Sequence, residues 1–185
     1  FWEGLAPVLN GRKMGYIDKE GKVIISYQFD IAGQFLEGLA QVKSGDKWGY
    51  IDREGKVVIP YQFEQAGIFS EGLAPVKSGG KWGYIDREGK VVISYQFEHP
   101  SYFFNGLAVI INNNNDSLRG RYGYINKEGK IVIQPQFISA SNFSEGLAAV
   151  INEEAKTGYI DVDGNIVVSY QSFPNVSFFS EGLAA

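Results

Sequence analysis

The sequence predicts an all-β fold built from tandem repeats of antiparallel strands. Gly-Tyr-Ile followed by Asp or Asn occurs five times, with its glycine at positions 15, 49, 83, 123 and 158, and Gly-Leu-Ala recurs six times with the same period of ~34 residues. Between these markers lie runs of β-branched and aromatic residues, with no apolar stripe at helical spacing. Residues 1–185 therefore indicate a single array of five full periods plus one surplus strand.

Within one period the pattern predicts a strand, a turn, a strand, a second turn and a third strand. Leu73–Lys77 and Lys81–Asp86 are separated by three residues with two glycines, which is typical of a hairpin loop. Asp86-Arg87-Glu88-Gly89 has the residue preference of a type I turn. Lys90–Phe97 is rich in β-branched and aromatic residues, as strands are. Each unit should hold three or four short antiparallel strands.

The units should pack on one another. In Lys90–Phe97, Val91 and Ile93 point to one face and Val92 to the other, so both faces should be covered by neighbouring units. Gly83 should allow close approach of a backbone or a ring. The spacing Phe, five residues, Phe, two residues, Gly recurs five times, which predicts apolar wedges between units. A propeller-like arc or ring fits this pattern, and an open curved β solenoid is the alternative.

Two segments break the repeat. Fifteen residues separate Gly106 from Tyr122, where the corresponding interval after Gly72 has nine, and the excess is rich in Asn. Such polar insertions map to loops. Ile151–Thr157 is the second departure. If the chain binds a partner through loops, the first segment supplies the candidate contact residues Asn112, Asn113, Asn114, Asn115, Asp116, Arg119 and Arg121.

Composition excludes several function classes. The net charge of −4 disfavours nucleic acid as a partner, because such proteins neutralise phosphates with a basic surface. No apolar run approaches the ~20 residues of a membrane span, so we expect no membrane insertion. The absence of Cys leaves the compartment open. The chain starts within a repeat, with Phe-Trp-Glu-Gly-Leu-Ala, so we expect it to be part of a longer protein.

Catalytic, metal and cofactor sites are not expected. The only histidine, His99, stands beside Pro100 without a nucleophile and base constellation around it in the sequence. Asp161–Asn165 resembles the start of a calcium-binding loop, but the residues that follow lack the required oxygen ligands. A turn explains that segment fully.

Two rows of carboxylates recur. An aspartate opens each turn at positions 18, 52, 86 and 161, where a hydrogen bond to its own turn is the expected role. A glutamate precedes Gly-Leu-Ala at positions 3, 37, 71, 145 and 181. No turn preference explains this glutamate. If the units stack, the row repels unless Lys or Arg intervenes or a cation or basic partner binds. A structural hydrogen-bonding role is the preferred alternative for the Glu row as well.

The motifs Lys-Trp-Gly-Tyr-Ile-Asp, Gly-Lys-Val-Val-Ile and Phe-x-x-Gly-Leu-Ala-x-Val resemble those of the WG repeat family of bacterial proteins, also called KWG repeats, over essentially the whole chain. Only Trp48 and Trp82 keep the defining Trp-Gly pair; Met14, Tyr122 and Thr157 stand at the other three positions. The family resemblance implies no particular activity.

The same aromatic hairpins also resemble choline-binding cell-wall modules, whose rings cage a quaternary ammonium or stack on sugar. That resemblance would make Trp48 and Trp82 ligand-binding residues. The adjacent glycines and the replacements at the other positions favour a packing role instead.

The functional expectation is a non-enzymatic repeat scaffold that mediates protein–protein interaction or assembly, with a protein as its partner and no cofactor. The alternative is a glycan or cell-wall ligand-binding module that uses exposed aromatics at Trp48 and Trp82.

Overall fold

The computed structural model describes residues 1–112 and 120–172 and the backbone of two short strands beyond them. By its contacts the chain divides into two compact units, Phe1–Gln96 and Phe97–Ala185. The described residues form strands and turns, and none of them belongs to a helix that could cross a membrane.

Five antiparallel sheets follow one another along the chain. Sheet 1 contains β1 (Ala6–Asn10), β2 (Lys13–Ile17) and β3 (Val23–Phe29). Sheet 2 contains β4 (Ile31–Ala32), β5 (Ala40–Ser44), β6 (Lys47–Ile51) and β7 (Val57–Phe63). Sheet 3 contains β8 (Gln65–Ala66), β9 (Ala74–Ser78), β10 (Lys81–Ile85) and β11 (Val91–Phe97). Sheet 4 contains β12 (Leu107–Asn112), β13 (Arg121–Asn126) and β14 (Ile131–Phe137), and sheet 5 contains β15 (Ser139–Ala140), β16 (Leu147–Ile151), β17 (Thr157–Asp161) and β18 (Ile166–Gln171). A last pair, β19 (Phe179–Ser180) and β20 (Leu183–Ala184), follows.

The predicted turns are confirmed. Lys81 pairs with Ser78, so a two-residue loop joins β9 to β10. In the following turn the Gly89 amide donates to the Asp86 carbonyl over 3.0 Å, as a type I turn requires. The Asp86 carboxylate accepts from the amides of Glu88 at 3.1 Å and Lys90 at 2.8 Å. The aspartate row therefore stabilises its own turns, as the sequence predicts.

The glycine of Gly-Tyr-Ile lies opposite a bulge. Trp48 pairs with Phe63 and Tyr50 with Ile59, so one residue of β6 faces three residues of β7. A Cβ atom on Gly49 would lie 2.6 Å from the Ile59 carbonyl oxygen. The expected close approach is confirmed, and the approaching backbone belongs to the next strand of the same sheet.

Within each unit, neighbouring sheets share a core. The Tyr50 ring is fully buried and lies 5.0 Å from the Phe69 ring, centroid to centroid, and its hydroxyl donates to the Gly67 carbonyl over 2.8 Å. Residues of sheet 2, among them Phe63, pack in the same cluster as Val76 and Ile85 of sheet 3. The recurring phenylalanines therefore act as the predicted wedges.

The same tyrosine contact recurs in both units. Tyr16 packs on Phe35 at 4.9 Å, and Tyr124 packs on Phe143 at 4.9 Å. Their hydroxyls donate to the carbonyls of Gly33 and Ser141, each over 2.8 Å. Burial raises the pKa of Tyr16 and Tyr124 well above the ordinary value, so both remain neutral donors.

Candidate functional site

Five strands begin with two adjacent apolar residues that are exposed to solvent. Each pair opens the last strand of its sheet, one residue after a turn that begins with Asp or, once, with Asn. We name these the exposed apolar pairs: Val23 and Ile24, Val57 and Val58, Val91 and Val92, Ile131 and Val132, and Ile166 and Val167. Their exposed fractions run from 40% to 55%. Three pairs lie in the first compact unit and two in the second.

This exposure corrects the expectation that both faces of Lys90–Phe97 are covered. Val91 and Val92 are each 42% exposed, whereas Ile93 is 3% exposed. Val92 shares its face with Ser94 and Gln96, which are also exposed. The edge position of β11 does not decide this exposure, since Ile93 on the same strand is buried. Alternation along a strand identifies the faces, but it does not show how far a neighbouring sheet extends.

The two tryptophans lie against the core. Trp82 is 9% exposed, and Trp48 is half-buried against the cluster that contains Phe63 and Phe69. At the equivalent position the Met14 sulfur accepts from the Ala32 amide over 3.3 Å, which is a contact with the next sheet. This surrounding favours packing over an open aromatic cage, because cation–π capture needs an accessible ring face.

The recurrent glutamate has two structural roles. Leu36 and Leu39 exchange backbone hydrogen bonds of 3.0 and 3.2 Å across Glu37-Gly38, and both central residues have positive φ, 54° and 77°. This is the geometry of a type I′ turn. The Glu37 carboxylate also accepts from the Gly72 amide of the next sheet over 3.0 Å.

This link between sheets recurs along the chain. Glu3 accepts from the Gly38 amide at 3.0 Å, and Asn105 accepts from the Gly146 amide at 3.1 Å. Positive charge lies beside the row as well, since a Cβ atom on Gly38 would be 3.4 Å from Nη2 of Arg87. The glutamates are therefore linked to backbone amides of the following sheet, a role that the sequence analysis missed. Its only sequence signal is that Asn, which tolerates positive φ, replaces Glu once.

The two departures from the repeat meet in the second unit. Asn112 pairs with Arg121 at the end of β12, and Nη2 of Arg121 lies 2.9 Å from Oε1 of Glu153 in the second departure. Both side chains of this ion pair reach solvent, so it contributes little stability. The remaining predicted loop residues, Asn113, Asn114, Asn115, Asp116 and Arg119, lie outside the described residues.

The residues that the sequence analysis weighed for catalysis or metal binding lie at the surface or in a turn. His99 is exposed and borders a cleft with Ser101 and Asn142. Asp161 accepts from the side-chain amide of Asn165 at 2.9 Å and from backbone amides in its turn, and these hydrogen bonds lower the pKa of its carboxyl group. Among the described residues, no three His, Cys, Asp or Glu side chains are grouped to hold a metal ion.

Comparison with known proteins identifies the family and the fold of the chain. A family model described as WG containing repeat matches residues 14–48, 48–82, 82–115, 122–154 and 158–185. No curated protein matches the sequence. BamB from Moraxella catarrhalis is similar in structure, with a TM-score of 0.53 and 11% identity over 97% of this chain and 62% of that one. Hsv2p from Kluyveromyces lactis is also similar, with a TM-score of 0.54 and 14% identity over 98% of this chain and 66% of that one.

The chain thus spans slightly less than two thirds of the length of these two structures. Both are β-propeller proteins, and the likeness shows that the fold is propeller-like, as the sequence predicts. At such low identity the likeness carries the fold and nothing more. The five tandem matches cover most of the sequence, and the chain belongs to the family of WG-containing repeat proteins.

Proposed function

We propose that the chain is a non-enzymatic repeat scaffold that binds a protein partner through the exposed apolar pairs. The observation that carries this proposal is the repetition of the same exposed pair at the start of β3, β7 and β11 in the first unit. Single exposed valines are ordinary on protein surfaces. Six apolar residues repeated at one position of successive sheets form a candidate interaction surface.

The chemistry of these strands fits a partner that covers apolar surface. Their edge position leaves backbone groups on one side without a neighbouring strand of the same sheet. A lysine precedes three of the pairs in this unit, at positions 22, 56 and 90. Lysines at sheet edges oppose uncontrolled strand pairing, so a specific partner rather than aggregation is favoured. Full burial of an exposed valine contributes about 1.5 kcal/mol or more, and the side chains of the pairs in this unit are already more than half buried, so the binding energy must come from several pairs acting together.

Replacing Val57, Val58, Val91 and Val92 together by Thr tests this surface. Thr keeps the shape and strand preference of Val but adds a hydroxyl group, and at exposed positions it should change stability by less than about 0.5 kcal/mol per site. Partner affinity should fall at least about tenfold, because the hydroxyls would be desolvated in the interface. The affinities of proteins captured on the immobilised native chain are measured for both forms.

The matched control replaces Glu54 and Glu88 by Gln in the adjacent turns, where both side chains are exposed. This control should bind like the native chain. Unchanged affinity in the fourfold Thr variant, with its fold intact by circular dichroism, would refute the proposed surface.

The glycan alternative has a separate readout. Saturable quenching of tryptophan fluorescence by an arrayed glycan, lost on replacing Trp48 or Trp82 by Ala, would favour the ligand-binding module over the protein scaffold. We expect no such quenching, because Trp82 is buried and Trp48 packs on the core.

A further inference from the structure

A cleft of about 290 Å³ opens in the second unit, where the repeat is broken. His99, Pro100 and Ser101 form one side, Val109 and Tyr122 form the floor, and Asn142 comes from the next sheet. The inference drawn from this cleft is independent of the exposed apolar pairs.

The first cause of the cleft is a missing strand. In sheets 2, 3 and 5 a two-residue strand pairs with the first long strand, as Ala66 does with Val76. In sheet 4 that strand is absent from the described residues, and β12 is the edge strand. The corresponding positions hold His99 and Pro100. The chain at residues 99–101 therefore borders β12 without pairing to it as a strand.

The second cause is a change of side chains. In sheet 2, Gln41 fills the equivalent space, since a Cβ atom on Gly33 would lie 2.4 Å from Cδ of Gln41. In sheet 4 the shorter Val109 stands at the position of Gln41. The cross-strand pair Lys43 and Trp48 of sheet 2 is replaced by Ile111 and Tyr122. Ser101 stands at the position of Gly33, so the long side chain that packs over this position in sheet 2 has no counterpart in sheet 4, and the nearby lysine is gone.

The lining favours a neutral molecule. No Asp, Glu, Lys or Arg is among the described residues that line the cleft, and the exposed His99 is the one side chain among them able to carry a positive charge. A cation would lose water without gaining an ion pair, and an anion could gain one only at His99. The volume is near the lower bound of small-molecule sites, which suits one ring rather than a cofactor of several rings.

The arrangement of polar and apolar groups further limits the chemical class of ligand that fits the cleft. Tyr122, Pro100 and Val109 offer ring and aliphatic surface of the kind on which aromatic rings pack. The Ser101 hydroxyl donates to Oδ1 of Asn142 over 3.2 Å, so a hydroxyl and a side-chain amide line the same cleft and can hydrogen-bond a ligand. We propose that this cleft binds a single neutral aromatic ring that bears a hydroxyl group, of the kind presented by a tyrosine side chain in a peptide.

The experiment uses the whole chain and N-acetyl-tyrosinamide as the probe. Methyl resonances of Val109 and Ile111 are followed by NMR as the probe is added. We expect saturable shifts with a dissociation constant of about 1 mM, as one ring in a small site allows. The variant Val109→Gln places a longer polar side chain in the cleft, so with its fold verified by the dispersion of its NMR spectrum it should bind at least about tenfold more weakly. The variant Leu9→Gln, at an exposed position of the other unit, should bind like the native chain.

Two further probes define the ligand class. N-acetyl-lysinamide should cause no shift, because the cleft offers no counter-charge. Methyl glucoside should cause smaller shifts than the phenol, and larger shifts would overturn the aromatic assignment in favour of sugar. Absence of any saturable shift with N-acetyl-tyrosinamide, or equal binding by Val109→Gln, would overturn the site itself.

Discussion

Replacing Tyr50 by Ala should lower the free energy of unfolding by about 4 kcal/mol, the largest effect we expect from a single substitution. The Tyr50 side chain is fully buried, packs on Phe69 and donates to the Gly67 carbonyl in the next sheet. Its removal leaves a cavity between sheets 2 and 3 and takes away one hydrogen bond between them. Urea unfolding followed by circular dichroism measures the loss.

The contribution of the Tyr50 hydroxyl to stability can be measured apart from that of its ring. Tyr50→Phe keeps the ring but leaves the Gly67 carbonyl without this donor, and it should cost about 1.5 kcal/mol. Tyr27→Phe is the matched control, because Tyr27 is a half-buried tyrosine of β3, and it should cost less than about 0.5 kcal/mol. Equal stability of the two Phe variants would show that the hydroxyl does not join the sheets.

Gly49→Ala should cost about 3 kcal/mol, although it adds a single methyl group. That methyl would lie 2.6 Å from the Ile59 carbonyl oxygen and 3.0 Å from the Pro60 carbonyl carbon. Both contacts are with backbone of the bulge, which cannot rotate away as a side chain would. Thermal or urea unfolding of the variant checks the prediction.

The control for this variant is Gly45→Ala in the neighbouring hairpin. A Cβ atom on Gly45 meets nothing within 4 Å, but its φ of +62° disfavours Ala by about 1 kcal/mol. The difference between the two variants isolates the steric clash. If Gly49→Ala is no more destabilising than Gly45→Ala, the bulge does not press on the glycine as described.

The sequence predicts the elements whose cause is local. The Asp86 turn follows from side-chain hydrogen bonds within five residues, and the hairpin between β9 and β10 follows from its glycines. The recurring phenylalanines indicate packing between units, because buried aromatics at a fixed spacing repeat with the sheets. These features need no knowledge of where a neighbouring sheet lies.

The features that the sequence does not predict depend on where the neighbouring sheet lies. Glu37 could not be assigned from sequence, because its carboxylate bonds to an amide thirty-five positions away in the next sheet. The sequence predicts that Val92 is covered, but it is 42% exposed, because cover of a sheet face depends on how far the neighbouring sheet extends. The cleft beside Val109 had one sequence signal, Pro100 at a position that pairs as a strand in sheets 2, 3 and 5.

The proposed function depends on three features that follow one another along the chain. They are the Asp-initiated turn, the exposed apolar pair and the buried isoleucine after it. Ile25, Ile59 and Ile93 are 1–3% exposed, although each directly follows an exposed pair. Exposure thus changes within one residue along the strand. The apolar pairs are therefore exposed within an ordered strand, since the next residue is buried, and not because the end of the strand is unfolded.

A soluble paramagnetic agent tests this contrast most directly, through the broadening of methyl resonances in the native chain. We expect the methyls of Ile59 and Ile93 to be protected. At low protein concentration we expect strong broadening for the methyls of the exposed valines, which are Val57, Val58, Val91 and Val92. Protection of the valine methyls to the same degree as the isoleucine methyls would contradict the claim that the repeats present an open apolar surface to a partner.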